Sequence, residues 1–417
     1  MTDLPDIDEY SSWASCQSAQ QLAAVAVARR AADCEAYRTE WSIAGLAAAD
    51  ITPDTWARVP MLSKEALVDA ARRMPPFGGR LGVERERLAH VFAAAGPLYM
   101  PFTAADLEHV VGSFAKALAG CGFAAGDLVD QTTMYNWVIA ATVLDRAVLK
   151  LGCAVVPGGV GQSERHIEVI DHLGVNAILA FPTFLEHLLD QAAAAGQRLP
   201  LTKAAVMGEL RDPQAKLRMH AAHGITVREF YGVADVGAVA WECSAGKGMH
   251  LRDDLLVEFV APGRDEIVEP SPGQPAELVV TDLHRQAMPI IRLRTGDLID
   301  GLERGPCSCG RTSPRFARIV GRASEITKVK GMFVVPRLVV DVMLKDGVDR
   351  PFRLLVDRID GGRDELALEV AGEPFTDSEG FKARVESALR MRVALRFVDS
   401  LPEGGPRLVD RRFVVRT

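Results

Sequence analysis

The chain has 417 residues, 48% hydrophobic and 25% charged, with a formal net charge of −7; this fits a globular protein of roughly two to three domains. The acidic balance argues against a nucleic-acid partner. The N-terminal MTDLPDIDEY lacks the apolar stretch of a secretory signal, and the longest apolar runs, such as LAAVAVA at 22–28, are broken by charge well short of a membrane span. A cytoplasmic protein with no nucleic-acid or membrane partner is the expectation.

Residues 20–75 read as helical, Ala-rich with Arg29, Arg30 and Arg38 along a polar face. From about residue 105, helical patterns alternate with short apolar runs. DLEHVVGSFAKALAGCG predicts a helix closed by Gly122, and CAVVPGG a strand ending in a glycine turn. ERHIEVIDHLG, TFLEHLLDQAAAAG and PQAKLRMHAAHG predict helices; NAILAFP, KAAVMGE and TVREFYG predict the strands between them. Such alternation means βαβ units and a largely parallel sheet, whose strands, buried on both faces, show little period-2 pattern. After a Pro/Gly-rich stretch come ELVVTDL and IIRLRTGDL, shorter strands. Beyond GRAS at 321–324, ITKVKGMFVVP, FRLLVDRI, ELALEVAG, FKARVESALRMRV and ALRFVDSL predict a small α+β unit. The expected division is a large N-terminal domain over 1–321, with mixed and parallel sheets and helices, and a small α+β domain over 322–417.

Seven cysteines are too few, and odd in number, for a disulfide framework. Four soft ligands fall in two clusters: WECSAGKGMH supplies Cys243 and His250, and GPCSCGRTSP supplies Cys307 and Cys309. Three thiols and an imidazole suit a tetrahedral structural Zn²⁺, with both clusters expected in glycine-containing turns. Spacing alone balances that site evenly against two unrelated thiol-bearing loops. Cys16, Cys34, Cys121 and Cys153 fall at apolar positions and are expected in the core. In REFYGVADVGAVAWEC, a strand–turn–strand pattern puts Tyr231, Gly232 and Asp235 near a strand end, where open α/β sheets bind ligands. IIRLRTGDL puts Asp297 after a glycine, where a carboxylate can take two ribose hydroxyls. Each of these two turns, taken alone, fits an ordinary solvated turn.

In order, ARVPMLSKEAL, CAVVPGGVGQSERHIEVIDHLG, YGVADVG with WEC, IIRLRTGDL, GRASEITKVKGMFVVP and LVDRR resemble the phenylacetate–CoA ligase family of adenylate-forming enzymes over almost the whole chain. The resemblance implies that Tyr231 packs against adenine, with Gly208 and Glu209 at the opposite wall. It also implies that Asp235 stands where an acid holds Mg²⁺, Asp297 takes the ribose hydroxyls, and Arg322 lies near the nucleotide. Tyr135, Asn136 and Trp137 approach the acyl pocket. The paired cysteine clusters imply structural zinc, and the cofactors implied are Mg²⁺ with ATP or AMP, and CoA.

Three departures fall on the ATP-activating machinery. The family's phosphate loop, rich in Ser, Thr and Gly and closed by Lys-Pro, is here HVFAAAGPLYMPFT, with Gly96 but no Ser, Thr or Lys between Phe92 and Pro101. Backbone amides could still meet an anion, without side-chain donors. The family's C-terminal lysine, which bridges the acyl carboxylate and the α-phosphate, falls on Gly404 or Gly405 of LPEGGPRLVDRR; Lys330 and Arg407 are the substitute cations to consider. The hinge acid after Gly-Arg is Ser324, followed by Glu325. Three functions stay open: an acyl- or aryl-CoA ligase with impaired adenylation; an ATP-independent hydrolase or acyl transferase acting on a thioester; and a non-catalytic binding subunit. The expected partner is a small carboxylic acid or acyl thioester, with self-association as a homodimer left open.

Overall fold

The computed structural model describes residues 12–94, 98–209, 214–262, 264–271, 276–323, 327–329, 332–334, 336–359, 363–402 and 406–412. The chain forms two compact units, Met1–Gly321 and Arg322–Thr417.

The first unit begins with α1 (Trp13–Ala31), α2 (Glu35–Ile43) and α3 (Lys64–Arg73). Ser12 and Ser63 hydroxyls accept amides of the first turns of α1 and α3, supplying the acceptor a helix start needs. The expected continuous helical region is therefore interrupted: between α2 and α3 only two short 3₁₀ turns occur. The cause is local. Gly45 turns left-handed at φ 65°, Pro53 and Pro60 bring no amide, and the Thr52 and Thr55 side chains bond neighbouring backbone in place of a helical ladder.

Then come β1 (Leu88–Ala93) and β2 (Tyr99–Thr103), an antiparallel pair that the sequence pattern did not reveal. The helix α4 (Ala104–Gly120) follows, opened by a reciprocal capping box between Thr103 and Asp106. Next are β3 (Leu128–Gln131), α5 (Ile139–Lys150), β4 (Ala154–Val156), α6 (Ser163–Leu173), β5 (Ala177–Ala180), α7 (Pro182–Ala194), β6 (Lys203–Val206), α8 (Gln214–His223) and β7 (Thr226–Val233). The unit closes with β8 (Gly237–Glu242), β9 (Met249–Leu251), β10 (Leu255–Val260), β11 (Ala276–Asp282), β12 (Leu293–Glu303) and β13 (Arg315–Arg322).

Eleven of these strands make one sheet in the order β10-β11-β12-β13-β9-β8-β7-β6-β5-β3-β4. From β4 to β7 neighbours are parallel, as βαβ alternation requires; from β7 to β8 and β9 they are antiparallel. Side chains of β5 alternate between two cores. Ala177 and Leu179 join the apolar cluster around α4 and α5, whereas Ile178 and Ala180 join the one around α6, α7 and α8. Both faces are thus covered by helices, which explains the continuous apolar run of these strands. Gly120 lets α4 lie on β8: a Cβ there would strike the Trp241 ring.

The second unit has β14 (Thr327–Val329) paired with β15 (Met332–Val334), then α9 (Pro336–Lys345), β16 (Phe352–Ile359), β17 (Arg363–Ala371), α10 (Ser378–Leu389), β18 (Ala394–Val398) and β19 (Leu408–Asp410). The last four strands form a sheet ordered β18-β17-β16-β19. Phe381 and Val385 of α10 pack with Leu354, Leu368 and Val370 in this unit's own core.

Candidate active site

Tyr231 lies near the end of β7, buried, and its phenol donates to Asp297 Oδ2 at 2.6 Å. The two residues are 66 apart in sequence; the sheet brings them together because β7 and β12 share it. The Asp297 amide donates to Thr295 Oγ1 at 3.1 Å, so the turn through Gly296 holds the carboxylate in place. Tyr231 also meets Phe316 edge-on, its ring centroid 6.4 Å away. The phenol thus fixes one oxygen of this buried carboxylate, an acceptor-only group.

Gly208 and Glu209 follow β6. Gly208 adopts φ +80°, and a Cβ on it would come within 2.6 Å of the Phe181 ring. The Glu209 carboxylate accepts from the Thr183 amide at 3.0 Å and the Thr183 hydroxyl at 2.7 Å. It therefore sits at the positive N-terminal end of α7. Gly232 occupies a β7–β8 register irregularity, where a Cβ would press within 3.1 Å of the Gly237 carbonyl.

Asp235 is fully buried and ion-paired with Lys64 through Oδ2. Its Oδ1 is buried with no hydrogen-bond partner among the described residues. One acceptor is thus open to a cation, while the other already has an ammonium. The buried Arg285 guanidinium donates to the Asp235 carbonyl at 3.4 Å and lies 3.4 Å from the Phe102 ring centroid; burial pulls its pKa down to about 10.

Of the residues expected to approach an acyl group, Tyr135 donates its hydroxyl to Asp145 Oδ2 at 3.1 Å, and burial with that carboxylate raises its pKa. Asn136 accepts the Val138 amide at 2.8 Å through its carbonyl. Trp137 is left-handed at φ 68° and 78% exposed, an unusual exposure for an indole. Its carbonyl accepts the Ala93 amide at 2.8 Å, and the Ala94 amide donates to Leu98 at 2.8 Å. The amides of Ala93, at the end of β1, and of Ala94, just after it, are therefore engaged within the protein. Residues 95–97, including Gly96, lie outside the described residues, as do Ser324, Glu325, Lys330, Gly404 and Gly405. Arg322 ends β13, and Arg407 places its guanidinium 5.6 Å from the Phe352 ring centroid in the second unit.

Cys243, His250, Cys307 and Cys309 come together, their ligating atoms all within 4.8 Å of one another. The pairing of β9 with β8 and β13 brings them there, and His250 is in strand β9 instead of the expected turn. It reaches the thiols because β9 is short and the Cys307–Cys309 turn leads into its neighbour β13. Cys243 Sγ is 3.8 Å from Cys307 Sγ, and Cys309 Sγ is 3.4 Å from His250 Nε2. A tetrahedral zinc with the usual bond lengths needs about 3.8 Å and about 3.5 Å for such pairs. His250 Nδ1 lies 3.1 Å from both the Ser313 carbonyl and hydroxyl, which aims Nε2 at the sulfurs. Burial, followed by the neighbouring thiols, raises Cys243 to about 11. On Cys307 burial is outweighed by hydrogen bonds from Cys309 and Cys243 and by Arg315, which lower it. The donor set fits a structural metal.

Sequence reading missed three groupings. Lys64 stood in the quoted SKEAL segment, but its pairing with Asp235 spans 171 residues. His166 of α6 and Asp130 of β3 form a buried pair at 2.6 Å, with His166 Nε2 at 3.1 Å from the Gly159 carbonyl. His109, Asp254 and His284 form a second cluster of potential metal ligands. No periodicity marks any of these contacts; only the packing of helices α3, α4 and α6 with the sheet and its loops creates them.

No family model matches the chain. The chain is 30% identical over 329 residues to a phenylacetate–coenzyme A ligase of Aromatoleum evansii, spanning 76% of this chain and 72% of that protein. The chain belongs to the phenylacetate–CoA ligase family. A second such ligase, from Thermus thermophilus, is 28% identical over 82% of this chain and 80% of its own length. Among solved structures, 2-hydroxyisobutyryl-CoA ligase in complex with 2-HIB-AMP and CoA superimposes with a TM-score of 0.85 at 23% identity, covering 96% of this chain and 90% of that one. That likeness establishes the adenylate-forming fold. Within the described residues of this family member, no helix is long and apolar enough to cross a membrane.

Proposed function

We propose that this phenylacetate–CoA ligase family member is an acyl- or aryl-CoA ligase whose adenylation half-reaction is weakened. A carboxylate oxygen of the acid attacks the α-phosphorus of ATP and displaces pyrophosphate. The thiol of CoA then attacks the acyl carbon, and AMP departs. The observation that carries the reading is the buried Tyr231–Asp297 pair, which holds a carboxylate that would take the ribose hydroxyls beside a tyrosine ring that would flank adenine. Gly208 and Glu209 serve as the facing wall, and Tyr135, Asn136 and Trp137 as the acyl approach. Rate enhancement would come from positioning and from charge stabilisation at the α-phosphate. Mg²⁺ arriving with ATP would use Asp235 through its open Oδ1 and supplies charge neutralisation on the phosphates. Arg322, Lys330 and Arg407 are the cations proposed to serve adenylation. The Cys243, His250, Cys307 and Cys309 set is proposed to hold one structural Zn²⁺ that ties β8 and β9 to the turn before β13.

A specific observation favours a second reading, an ATP-independent hydrolase or acyl transferase. The Ala93 and Ala94 amides are bonded to protein carbonyls, and the loop has no Ser, Thr or Lys donor between Phe92 and Pro101. The test is pyrophosphate release from Mg-ATP with a panel that includes arylacetic and short 2-hydroxy acids, run beside thioester formation from synthetic acyl-adenylates and CoA. Slow release with competent thioester formation supports the proposal. Release of free CoA from acyl-CoA without AMP, and no thioester formation, would favour the second reading. No AMP binding at all would leave the non-catalytic subunit.

A further inference from the structure

His109 in α4, Asp254 just before β10 and His284 just after β11 come together from three separate elements. Their ligating atoms all lie within 4.8 Å of one another. The two imidazole rings face each other at 4.1 Å between centroids, inclined by 29°. His109 Nε2 lies 3.4 Å from Asp254 Oδ2, yet it is buried and makes no hydrogen bond among the described residues. An orphaned ring nitrogen facing a carboxylate is costly unless something fills the gap. All three side chains are half-buried, so the gap is sheltered but reachable from solvent.

The surroundings hold this arrangement in place. The fully buried Arg252 guanidinium donates to the Val236 and Ala238 carbonyls, both at 2.9 Å, and its Nε is ion-paired with Asp254 Oδ1. That sets one carboxylate oxygen against the guanidinium and leaves the other on the His109 side, as a supporting charge does for a metal-bound carboxylate. Asp282 accepts the His284 amide at 2.9 Å and the Arg285 amide at 3.0 Å, which pins the turn carrying His284. Lys116 neutralises the adjacent Asp253 at 3.0 Å, so Asp254 is left as the carboxylate facing the imidazoles.

We propose that His109, Asp254 and His284 form a second metal site, one for a borderline divalent cation such as Zn²⁺. Two imidazoles and one carboxylate select a first-row transition ion over Mg²⁺ or Ca²⁺, which favour all-oxygen shells. Nitrogen and oxygen ligands of a tetrahedral zinc lie about 3.4 Å apart, the separation of His109 Nε2 and Asp254 Oδ2. The site has three protein ligands, leaving a coordination position for water, unlike the closed Cys/His set. An ion there would cross-link α4 to the β10 and β11 ends. It would replace the stacking of the two rings by a convergent geometry, through a ring rotation.

The test uses full-length protein stripped with a chelator and reloaded with Zn²⁺ or Co²⁺ alone. Wild type should take up one more equivalent than the His109→Gln/His284→Gln double variant, and Cys307→Ser should keep that equivalent. Cobalt at the second site should give weak visible bands without the sulfur charge-transfer absorption that thiolate ligands produce. A readout needing no substitution is histidine modification by diethyl pyrocarbonate: Zn²⁺ should protect both residues in wild type, as mapped by mass spectrometry. Equal metal uptake by wild type and the double variant, or modification of His109 and His284 unaffected by Zn²⁺, would overturn the site and leave a packed imidazole pair.

Discussion

The two ends of the proposed nucleotide site are furnished very differently. On the adenosine side, Tyr231 and Asp297 are already hydrogen-bonded at 2.6 Å, and Glu209 is held by two donors from Thr183. On the phosphate side, the Ala93 and Ala94 amides are engaged by Trp137 and Leu98 carbonyls, and the sequence has no Ser, Thr or Lys between Phe92 and Pro101. A site built this way should recognise what AMP and ATP share and gain little from what ATP alone carries.

The largest consequence falls on the first half-reaction. A preorganised charge that acts in the transition state is worth roughly a hundred- to a thousandfold in turnover, and such a loss depresses kcat more than binding. Pyrophosphate release from ATP should therefore be at least about a hundredfold slower than thioester formation from a supplied acyl-adenylate. ATP should bind no more tightly than AMP by calorimetry. Brisk release with any simple acid would collapse the comparison and show that another cation serves the phosphates.

Next is the adenosine side itself. Asp297→Ala removes a charge-assisted acceptor, which costs about 1.5–3 kcal/mol, so AMP affinity should fall by more than tenfold. Tyr231→Phe keeps the ring and removes only the bond to Asp297, costing about 1 kcal/mol. If the Asp297→Ala protein binds AMP as wild type does, the nucleotide lies elsewhere.

How far the sequence exposed this asymmetry depends on distance along the chain. The β5–α7–β6 alternation was legible because a buried parallel strand is a short apolar run between helices. The Cys/His cluster was half legible: Cys307 and Cys309 share one turn and Cys243 and His250 are near neighbours, but spacing alone balanced it against two unrelated thiol-bearing loops. The helical reading of 20–75 failed where Thr52, Thr55, Pro53 and Pro60 bond or block the backbone locally. The hairpin of β1 and β2 was hidden because Pro101 and the alanines of β1 carry weak strand signals. Lys64 with Asp235, and His166 with Asp130, needed the sheet order, which no local pattern contains.

The Cys/His cluster separates folding from chemistry. Cys307→Ser should release its zinc and lower Tm by several degrees, since metal binding to the folded state alone is folding free energy. The ratio of ATP to AMP affinity should stay unchanged. Metal analysis finding the same zinc content in this variant would remove the cluster's assignment.

The smallest effect concerns the proposed acyl side, where Gly159, 4.0 Å from the Tyr135 ring when given a Cβ, is tied down by His166. Burial disfavours an imidazolium there, but the Asp130 hydrogen bond and charge, with the Gly159 carbonyl, outweigh it and raise the pKa above 6.5. A raised value in the folded state means the protonated form is bound more tightly when folded. The stabilisation is thus complete below the ordinary histidine range and is lost as pH rises through the folded value. Denaturant midpoints measured from about pH 6 to about pH 9 should fall for wild type more than for His166→Gln, which has no proton to lose. The same variant should raise KM for the acid while leaving AMP affinity intact, because the glycine loop it holds faces Tyr135 and not Asp297. A parallel pH slope in both proteins would mean that His166 is held neutral and that the loop is fixed by other contacts.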